Sequence, residues 1–411
     1  MTFQPVADVP VAGIVYAEGW QSWSPMRLYQ AGEGGDRAAD DRSQVVMFRP
    51  GRPVPKGVIQ GEGILAVAPP EGPARAWFSP EPAREVATLR LARNRDRLEL
   101  TADGPLREIE AAGLDAALEA VGDRLGTGHL PKIPPGWCSW SFYFKHVNER
   151  DVVENVEAAR RLRLPIEIVQ LDDGYETVIG DWLDVTEAFG SLQRLAARIG
   201  DAGMRPGIWL APFLVAPNST LAKLHPDWLV PEQGAGMHWG EEMRILDVTR
   251  PSAAEHLAGV FRTLAGWGFG YFKLDFLYAA AIPSLGAYRR GMQLIRDAVG
   301  SDAILLACGA PLLPSIGLCD AMRVGPDVLQ ETPDPQVDLD SLVGITQLRR
   351  WMNGRLWVND PDCLVARAEI KDRDAWASHL EGYGGLRFSS DRLSALDARG
   401  LELTRRFLGS G

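Results

Sequence analysis

The chain has 411 residues, of which 46% are hydrophobic and 24% are charged, and its formal net charge is −11. This composition is typical of a globular protein with a large core, and the length suggests one large domain plus a smaller one. The acidic balance argues against nucleic acid or an anionic membrane surface as a partner and suits a neutral small molecule.

The cysteines, the histidines and the N-terminus bear on disulfide bonds, metal binding and cellular location. The four cysteines show no CxxC spacing, so we interpret them as reduced thiols, and the six histidines form no HxH or HExxH group typical of a zinc site. Residues 1–10 have no basic start and no long apolar core, unlike a signal peptide, and no apolar stretch is long enough to cross a bilayer. We therefore expect a cytoplasmic protein, and nothing in the sequence calls for a metal or a cofactor.

Residues 1–125 are predicted to form a small β domain. Short apolar runs alternate there with Gly, Pro, Asp and Asn, which is typical of antiparallel strands, and Gln44–Phe48 is among the predicted strands. A helix is expected near Glu108–Arg124. Residues 126–135 are rich in Gly and Pro and are interpreted as a linker.

From residue 136 to residue 411, predicted strands and helices alternate, with one long excursion at Asn218–Arg250. The predicted strands are Trp137–Tyr143, Ile166–Leu171, Arg205–Pro212, Tyr271–Phe276, Ala303–Cys308, Ala321–Val324, Leu356–Val358 and Leu386–Ser389. Eight strands with intervening helices indicate an α/β fold, a (β/α)8 TIM-type barrel preceded by an N-terminal antiparallel β-sandwich. An open doubly wound sheet is the alternative, but no Gly-rich phosphate loop follows any of these strands.

The fourth of these strands carries two opposite charges in an otherwise apolar run. Lys273 and Asp275 lie two residues apart, so their side chains point to the same side of the strand. Burying both charges is costly unless they pair or act in chemistry. The pattern leaves two interpretations open: a structural ion pair inside the barrel, or a carboxylate nucleophile kept ionised by the ammonium group.

Polar and aromatic side chains recur where the predicted strands end, which is the active-site side of such a barrel. They are Trp140, Asp172, Asp173, Trp209, Lys273, Asp275, Cys308, Arg323, Asp327, Asn359, Asp360 and Asp391. Each one alone has a structural explanation, such as a helix cap, a salt bridge or a core thiol. Together, the charged groups can hydrogen-bond a ring of hydroxyls while Trp faces cover a sugar, and glycoside hydrolysis needs two of the carboxyl groups.

Several short segments along the chain combine Trp, Asp, Gly and Cys, most of them at the predicted strands or their carboxyl ends. They are Gly19–Trp23 (GWQSW), Gly136–Trp140 (GWCSW), Gln170–Gly174 (QLDDG), Gly207–Pro212 (GIWLAP), Tyr271–Asp275 (YFKLD), Ala307–Gly309 (ACG), Met322–Asp327 (MRVGPD) and Asn359–Cys363 (NDPDC). Together they resemble the signature segments of glycoside hydrolase family 36, whose best-known members are retaining α-galactosidases. The resemblance implies a (β/α)8 barrel behind a β-sandwich that is reduced here, without the C-terminal β domain that is usual in the family.

The resemblance also implies roles at individual positions. Asp275 matches the nucleophile, and Asp327 matches the general acid/base. Asp172 and Asp173 match the pair that holds the galactose O4 and O6 hydroxyls. The other predicted substrate-binding residues are Trp23, Trp140, Trp209, Arg244, Lys273, Cys308 and Arg323.

The function implied by this resemblance is retaining hydrolysis of terminal α-D-galactosyl residues from small α-galactosides. Within the family, the alternatives are galactosyl transfer and removal of α-N-acetylgalactosamine. Outside it, the alternatives are a catalytically silent sugar-binding barrel, against which the two carboxyl groups argue, and a metal-dependent enzyme using Asp172, Asp173 and Asp360. The predicted partner is a small-molecule α-galactoside, and the oligomeric state is left open, a homo-oligomer included.

Overall fold

Two antiparallel sheets make up the N-terminal part of the computed structural model, which describes residues 2–128 and 130–409. Their strands are β1 (Gln4–Val9), β2 (Ile14–Ala17), β3 (Tyr29–Gln30), β4 (Val58–Glu62), β5 (Ile64–Ala68), β6 (Ala74–Phe78), β7 (Thr88–Asn94), β8 (Arg97–Ala102) and β9 (Arg107–Ala111). One sheet has the order β1-β8-β7-β4 and the other β3-β2-β5-β6-β9. Apolar side chains of both sheets, among them Val15, Leu65 and Leu91, share one core, so the predicted β-sandwich is confirmed.

One strand predicted in this region is a helix. Helix α1 spans Asp41–Val46, so the strand predicted at Gln44–Phe48 is wrong. Asp40 caps this helix: its carboxylate accepts a hydrogen bond from Ser43 N–H at 2.7 Å, and its own N–H donates to Ser43 Oγ at 3.0 Å. This reciprocal cap satisfies N–H groups that the first turn would otherwise leave free, and it outweighs the β preference of the valines.

The helix predicted near Glu108–Arg124 divides into a strand and a helix. β9 takes its first residues and pairs with β6, and α2 (Leu114–Leu125) follows and packs on the same sheet. The described residues of the segment 126–135, interpreted as a linker, contain no helix or strand.

Strands and helices alternate through the rest of the chain. The strands are β10 (Gly136–Cys138), β11 (Ile168–Leu171), β12 (Arg205–Leu210), β13 (Leu214–Val215), β14 (Leu229–His238), β15 (Glu241–Leu246), β16 (Tyr271–Leu274), β17 (Ile304–Ala307), β18 (Ala321–Arg323), β19 (Val358–Asp360) and β20 (Phe388–Ser389). The helices are α3 (Trp140–Tyr143), α4 (Glu149–Leu162), α5 (Leu192–Asp201), α6 (Thr220–Leu224), α7 (Pro251–Gly266), α8 (Tyr278–Ala281), α9 (Leu285–Val299), α10 (Leu339–Leu348), α11 (Arg373–Tyr383) and α12 (Ala398–Gly409). Within the described residues, none of the helices has the length and apolar character that a membrane span requires.

Eight of these strands form one parallel sheet in the order β20-β10-β11-β12-β16-β17-β18-β19. A hydrogen bond of 2.8 Å from Leu386 N–H to Asn359 O brings the two edges of the curled sheet together. The predicted (β/α)8 TIM-type barrel is therefore confirmed. The first barrel strand is shorter than predicted, because the chain turns into α3 directly after Ser139.

The excursion between β12 and α7 contains an antiparallel sheet that the sequence analysis did not predict. Its strand order is β13-β15-β14, and the β14–β15 hairpin turns at Trp239 and Gly240, whose φ angles are +50° and +83°. Two successive positive φ angles are typical of tight hairpin turns that match the twist of the strands. The hairpin packs against α1, so the sandwich and the barrel meet beside the carboxyl ends of the barrel strands.

Candidate active site

Asp275, the predicted nucleophile, lies directly after β16 and is only 7% exposed. Its Oδ2 accepts a hydrogen bond from Trp209 Nε1 at 2.9 Å, and its Oδ1 accepts one from Phe276 N–H at 2.9 Å. Phe276 has φ +53°, an uncommon backbone conformation for a bulky residue. Donors on both oxygens stabilise a carboxylate anion and fix the direction in which it points.

Lys273, two residues before it, has a different hydrogen-bond partner. Its Nζ lies 2.9 Å from Asp172 Oδ2, so the pair that forms is Lys273–Asp172 and not the structural Lys273–Asp275 pair considered from the sequence. Burial acts to lower the pKa of Lys273, but the charges of Asp172 and Asp275 more than offset burial and raise that pKa well above its ordinary value. Lys273 therefore stays charged. Asp275 interacts with this charge but forms no direct ion pair with Lys273.

The consecutive carboxylates at the end of β11 have different surroundings. Asp172 accepts hydrogen bonds from Lys273 and, at 2.6 Å, from Gln170 Nε2. Asp173 Oδ2 accepts one from Trp239 Nε1 at 3.1 Å, and no ion pair of Asp173 occurs among the described residues. Burial, and then the charge of Asp172, raise the pKa of Asp173 to about 6. One carboxylate is locked in an ion pair, whereas the other titrates near neutral pH.

Asp327, the predicted acid/base, lies in the turn after β18, where 31% of its side chain is exposed. Burial and the charge of Asp362 raise its pKa, although Arg323, whose Nη1 is 2.7 Å from Asp327 Oδ1, acts in the opposite direction. A raised pKa and an exposed edge suit a group that gives a proton to a substrate and recovers one from water.

Arg323 gathers three carboxylates at this part of the rim. Besides Asp327 it contacts Asp360 at 3.1 Å and Asp362 at 2.9 Å, and its own side chain is buried. Asp362 was not predicted as a site residue, although it belongs to the segment NDPDC, and its Oδ2 also accepts Val328 N–H at 2.7 Å. The carboxylates thus connect β18, β19 and the loop that carries Asp327.

Asp360, one of the three residues of the metal-dependent alternative, is engaged with Arg323, while Asp172 is engaged with Lys273. In the part of the chain that the structure describes, no group of three or more His, Cys, Asp or Glu side chains is arranged to hold a metal ion.

Trp23 reaches this rim from the N-terminal sandwich. Its ring lies edge-on to Phe276, with centroids 5.2 Å apart, and a Cβ placed on Gly309 would come within 2.8 Å of the same ring. Ser22 N–H donates to Ala310 O at 3.1 Å, so the Trp23 loop is joined to the chain that follows β17. The structure therefore brings Trp23 next to the end of β16, and its role in substrate binding stays a prediction.

Three other predicted site residues make no hydrogen bond to the carboxylates described above. Cys308 is buried at the end of β17, and burial, then the charge of Asp275, raise the pKa of its thiol well above the ordinary value, so it is neutral. Trp140 begins α3 and packs edge-on against Phe144. Arg244 lies on β15 with its Nη2 3.5 Å from Val230 O, and among the described residues it forms no ion pair with the carboxylates of the rim.

Two residues at the hairpin turn join the site without having been predicted. Trp239 lies with its ring centroid 6.4 Å from that of Trp209 and 5.1 Å from that of Phe276. His238 Nε2 is 2.7 Å from the Tyr278 hydroxyl, and burial lowers the pKa of His238 to about 4. A Trp–Gly turn was the available signal in the sequence, but nothing local shows that it folds back onto β11.

The structure thus defines a (β/α)8 barrel protein with carboxylates, buried cations and tryptophans at the carboxyl ends of its strands, where the active sites of such barrels lie. Residues 131–286 match the family model described as melibiase. Among curated proteins, the chain is 28% identical to α-galactosidase AgaA of Geobacillus stearothermophilus over 146 residues, 33% of this chain and 20% of that protein. It is 33% identical over 121 residues to the bifunctional α-galactosidase/sucrose kinase AgaSK of Mediterraneibacter gnavus, 27% of this chain and 13% of that protein.

Solved structures extend the likeness over the whole fold. The α-galactosidase TtGalA of Thermus thermophilus, in complex with p-nitrophenyl α-D-galactopyranoside, superposes with a TM-score of 0.83 at 28% identity, covering 99% of this chain and 87% of that one. The family 36 α-galactosidase AgaA superposes with a TM-score of 0.67 at 15% identity, which shows a shared fold. The curated matches span about a fifth or less of those relatives. The predicted resemblance is confirmed as a likeness: residues 131–286 match the melibiase model, and the fold superposes on those of α-galactosidases.

Proposed function

We propose that this chain is a retaining α-galactosidase that removes terminal α-D-galactosyl residues from small α-galactosides. The melibiase match and the likeness to TtGalA, which is known in complex with stachyose as well, support this substrate class. The observation that carries the proposal is the contrast between two carboxyl groups. Asp275 has an N–H donor on each oxygen and lies near a charged Lys273, whereas the pKa of Asp327 is raised.

The proposed reaction is a double displacement. Asp275 attacks the anomeric carbon while Asp327 gives its proton to the leaving oxygen, which produces a β-galactosyl ester on Asp275. Asp327, now ionised and in contact with Arg323, takes a proton from water, and this water attacks the same carbon and releases α-galactose. Two inversions at one carbon give net retention.

In the same proposal, Asp172 and Asp173 accept galactose hydroxyls, and Trp23 and Trp209 cover the C–H side of the sugar. The remaining predicted residues would line the same subsite: Trp140, Arg244, Lys273, Cys308 and Arg323. Arg244 is the assignment with the weakest support, because its guanidinium contacts Val230 O and no rim carboxylate among the described residues.

The test compares p-nitrophenyl α-D-galactoside with its α-gluco, α-N-acetylgalactosamine and β-galacto analogues and follows the first sugar product by NMR. We expect the highest kcat/KM for the α-galactoside and α-galactose as the first product. A preference for the N-acetylgalactosamine analogue, or galactosyl transfer to an added sugar, would favour the other family activities. Galactose binding without turnover would favour a silent barrel, and a β product would contradict the double displacement.

We also propose a cytoplasmic location for the protein. All four cysteines are free thiols and are buried, a state that a reducing compartment preserves. Fractionation of cells that produce the protein would test this, and recovery in a secreted fraction would contradict it.

A further inference from the structure

The turn of the β14–β15 hairpin places an indole N–H on one of the two proposed galactose-binding carboxylates. Trp239 has 43% of its surface exposed, yet its Nε1 is 3.1 Å from Asp173 Oδ2. The positive φ of Trp239 and of Gly240 sets the direction in which the ring leaves the turn. An exposed aromatic ring that hydrogen-bonds a carboxylate with only 7% exposure closes one side of that carboxylate to water.

The turn is held in this position from two sides. On one side the Trp239 ring packs against Trp209 and Phe276, the two residues whose N–H groups hold Asp275. On the other side His238 contacts the Tyr278 hydroxyl, which donates to Ala235 O at 2.6 Å. The indole therefore belongs to an aromatic layer that joins the carboxylate at the end of β11 to the one at the end of β16.

We propose that Trp239 is a positioning residue for Asp173. Its N–H holds one carboxylate oxygen and favours the ionised carboxylate, which leaves the other oxygen to accept a substrate hydroxyl. The inference rests on the proposed function, since that proposal makes Asp173 a galactose-binding residue.

The charged groups around Asp173 make its ionisation sensitive to the hydrogen bond from Trp239. Asp172 and Asp275 both disfavour a negative charge on Asp173, and Lys273 is occupied by Asp172. Burial raises the pKa of Tyr175 and of Glu176 well above their ordinary values, and it lowers the pKa of His238, which adjoins Trp239, to about 4. Two hydrogen bonds favour the ionised form of Asp173: one from the Trp239 side chain and one from the Gly174 backbone.

Loss of the Trp239 hydrogen bond should raise the pKa of Asp173 and weaken substrate binding at low pH. With Trp239 present, the pKa of Asp173 is about 6, so the ionised fraction rises as the pH rises through that value. Removing the indole N–H removes a stabilising contact of the anion, so the pKa of Asp173 rises further. Substrate binding should then be weakened near pH 6 and progressively restored at higher pH.

The experiment measures kcat and KM for p-nitrophenyl α-galactoside between pH 5 and pH 8.5 in wild type and in Trp239→Phe, which keeps a ring but lacks the donor. We expect the acid limb of kcat/KM to move up by about half a pH unit to one unit, with KM changing more than kcat. Trp239→Leu, also without a donor, should show the same shift. Trp267→Phe, at the C-terminal end of α7, is the matched control and should not shift the limb.

Two further measurements separate positioning from a structural role. In an Asp173→Asn background, Trp239→Phe should no longer move the acid limb, because the titrating group is gone.

Galactose binding measured by calorimetry in Asp275→Ala should show the same pH shift on adding Trp239→Phe, without any turnover. An unmoved acid limb in Trp239→Phe, or an equal shift in the Asp173→Asn background, would overturn the inference alone. A wild type that neither cleaves nor binds α-galactosides would overturn the proposed function, and the inference with it.

Discussion

Asp275 and Asp327 are both aspartates at the barrel rim, and they differ in hydrogen-bond donors and in exposure. Asp275 receives hydrogen bonds from Trp209 Nε1 and from Phe276 N–H, one on each carboxylate oxygen. Asp327 keeps an exposed edge, and its pKa is raised by burial and by Asp362. In the proposed double displacement, Asp275 attacks the anomeric carbon and Asp327 carries the proton for the leaving group.

Replacing these two residues should give different products with azide. Asp275→Ala is expected to have no measurable natural turnover, and azide that occupies the space of the lost carboxylate should give β-galactosyl azide from an activated α-galactoside. Asp327→Ala should lose about 10²- to 10⁴-fold on substrates with poor leaving groups but keep the first step on activated ones. Azide should then attack the β-galactosyl ester and give α-galactosyl azide. NMR of the azide products distinguishes the two, and the opposite pairing of products would reverse the assignment.

At the scale of an element, the two consecutive carboxylates at the carboxyl end of β11 have different partners. Asp172 forms an ion pair with Lys273 on β16, whereas the Asp173 carboxylate accepts a hydrogen bond from Trp239 in the hairpin turn. Asp172 therefore contributes to the stability of the barrel as well as to the proposed sugar site. Asp173 instead carries a charge that the fold disfavours.

Asp172→Asn and Asp173→Asn form a matched pair that tests this difference. Asp172→Asn removes the direct ion-pair partner of the buried Lys273 ammonium, and we expect a loss of about 3–5 kcal/mol in the free energy of unfolding. Asp173 has a folded pKa of about 6, above its unfolded value, so its contribution to stability declines as the pH rises toward 6. At pH 7 we therefore expect Asp173→Asn to be at least as stable as wild type. Urea unfolding measures both, and equal losses would contradict this account.

At the scale of the whole molecule, a buried ion pair joins the sandwich to the barrel. Arg349, which follows α10, binds Glu18 Oε1 through Nε at 3.0 Å and Nη2 at 2.9 Å, and both side chains are fully buried. Nη1 of Arg349 also donates to Ser22 O at 2.6 Å and to Val324 O at 3.0 Å. One guanidinium thus connects the loop that carries Trp23 with the strand end that leads to Asp327.

Arg349→Ala should therefore destabilise both parts of the molecule together. Loss of the guanidinium leaves Glu18 buried without its partner, a situation that costs about 3–5 kcal/mol. We expect one thermal transition with a lower midpoint, measured both by circular dichroism and by calorimetry. Arg97→Ala, which removes an exposed pair with Asp8, is the control and should leave the midpoint unchanged. Two separate transitions, with the barrel unaffected, would contradict this coupling.

The sequence by itself determined the barrel, the sandwich and the strand ends where the carboxylates lie, because these follow from hydrophobic periods and motifs that are local in the chain. The substrate-binding roles of those residues stay a prediction. Only the tertiary structure decided which groups meet: Lys273 pairs with Asp172 across 101 positions, and Trp239 meets Asp173 across 66. Local patterns hold no information about such pairs, because their partners are selected by strand order, by the path of a hairpin and by the free energy of leaving a buried charge alone.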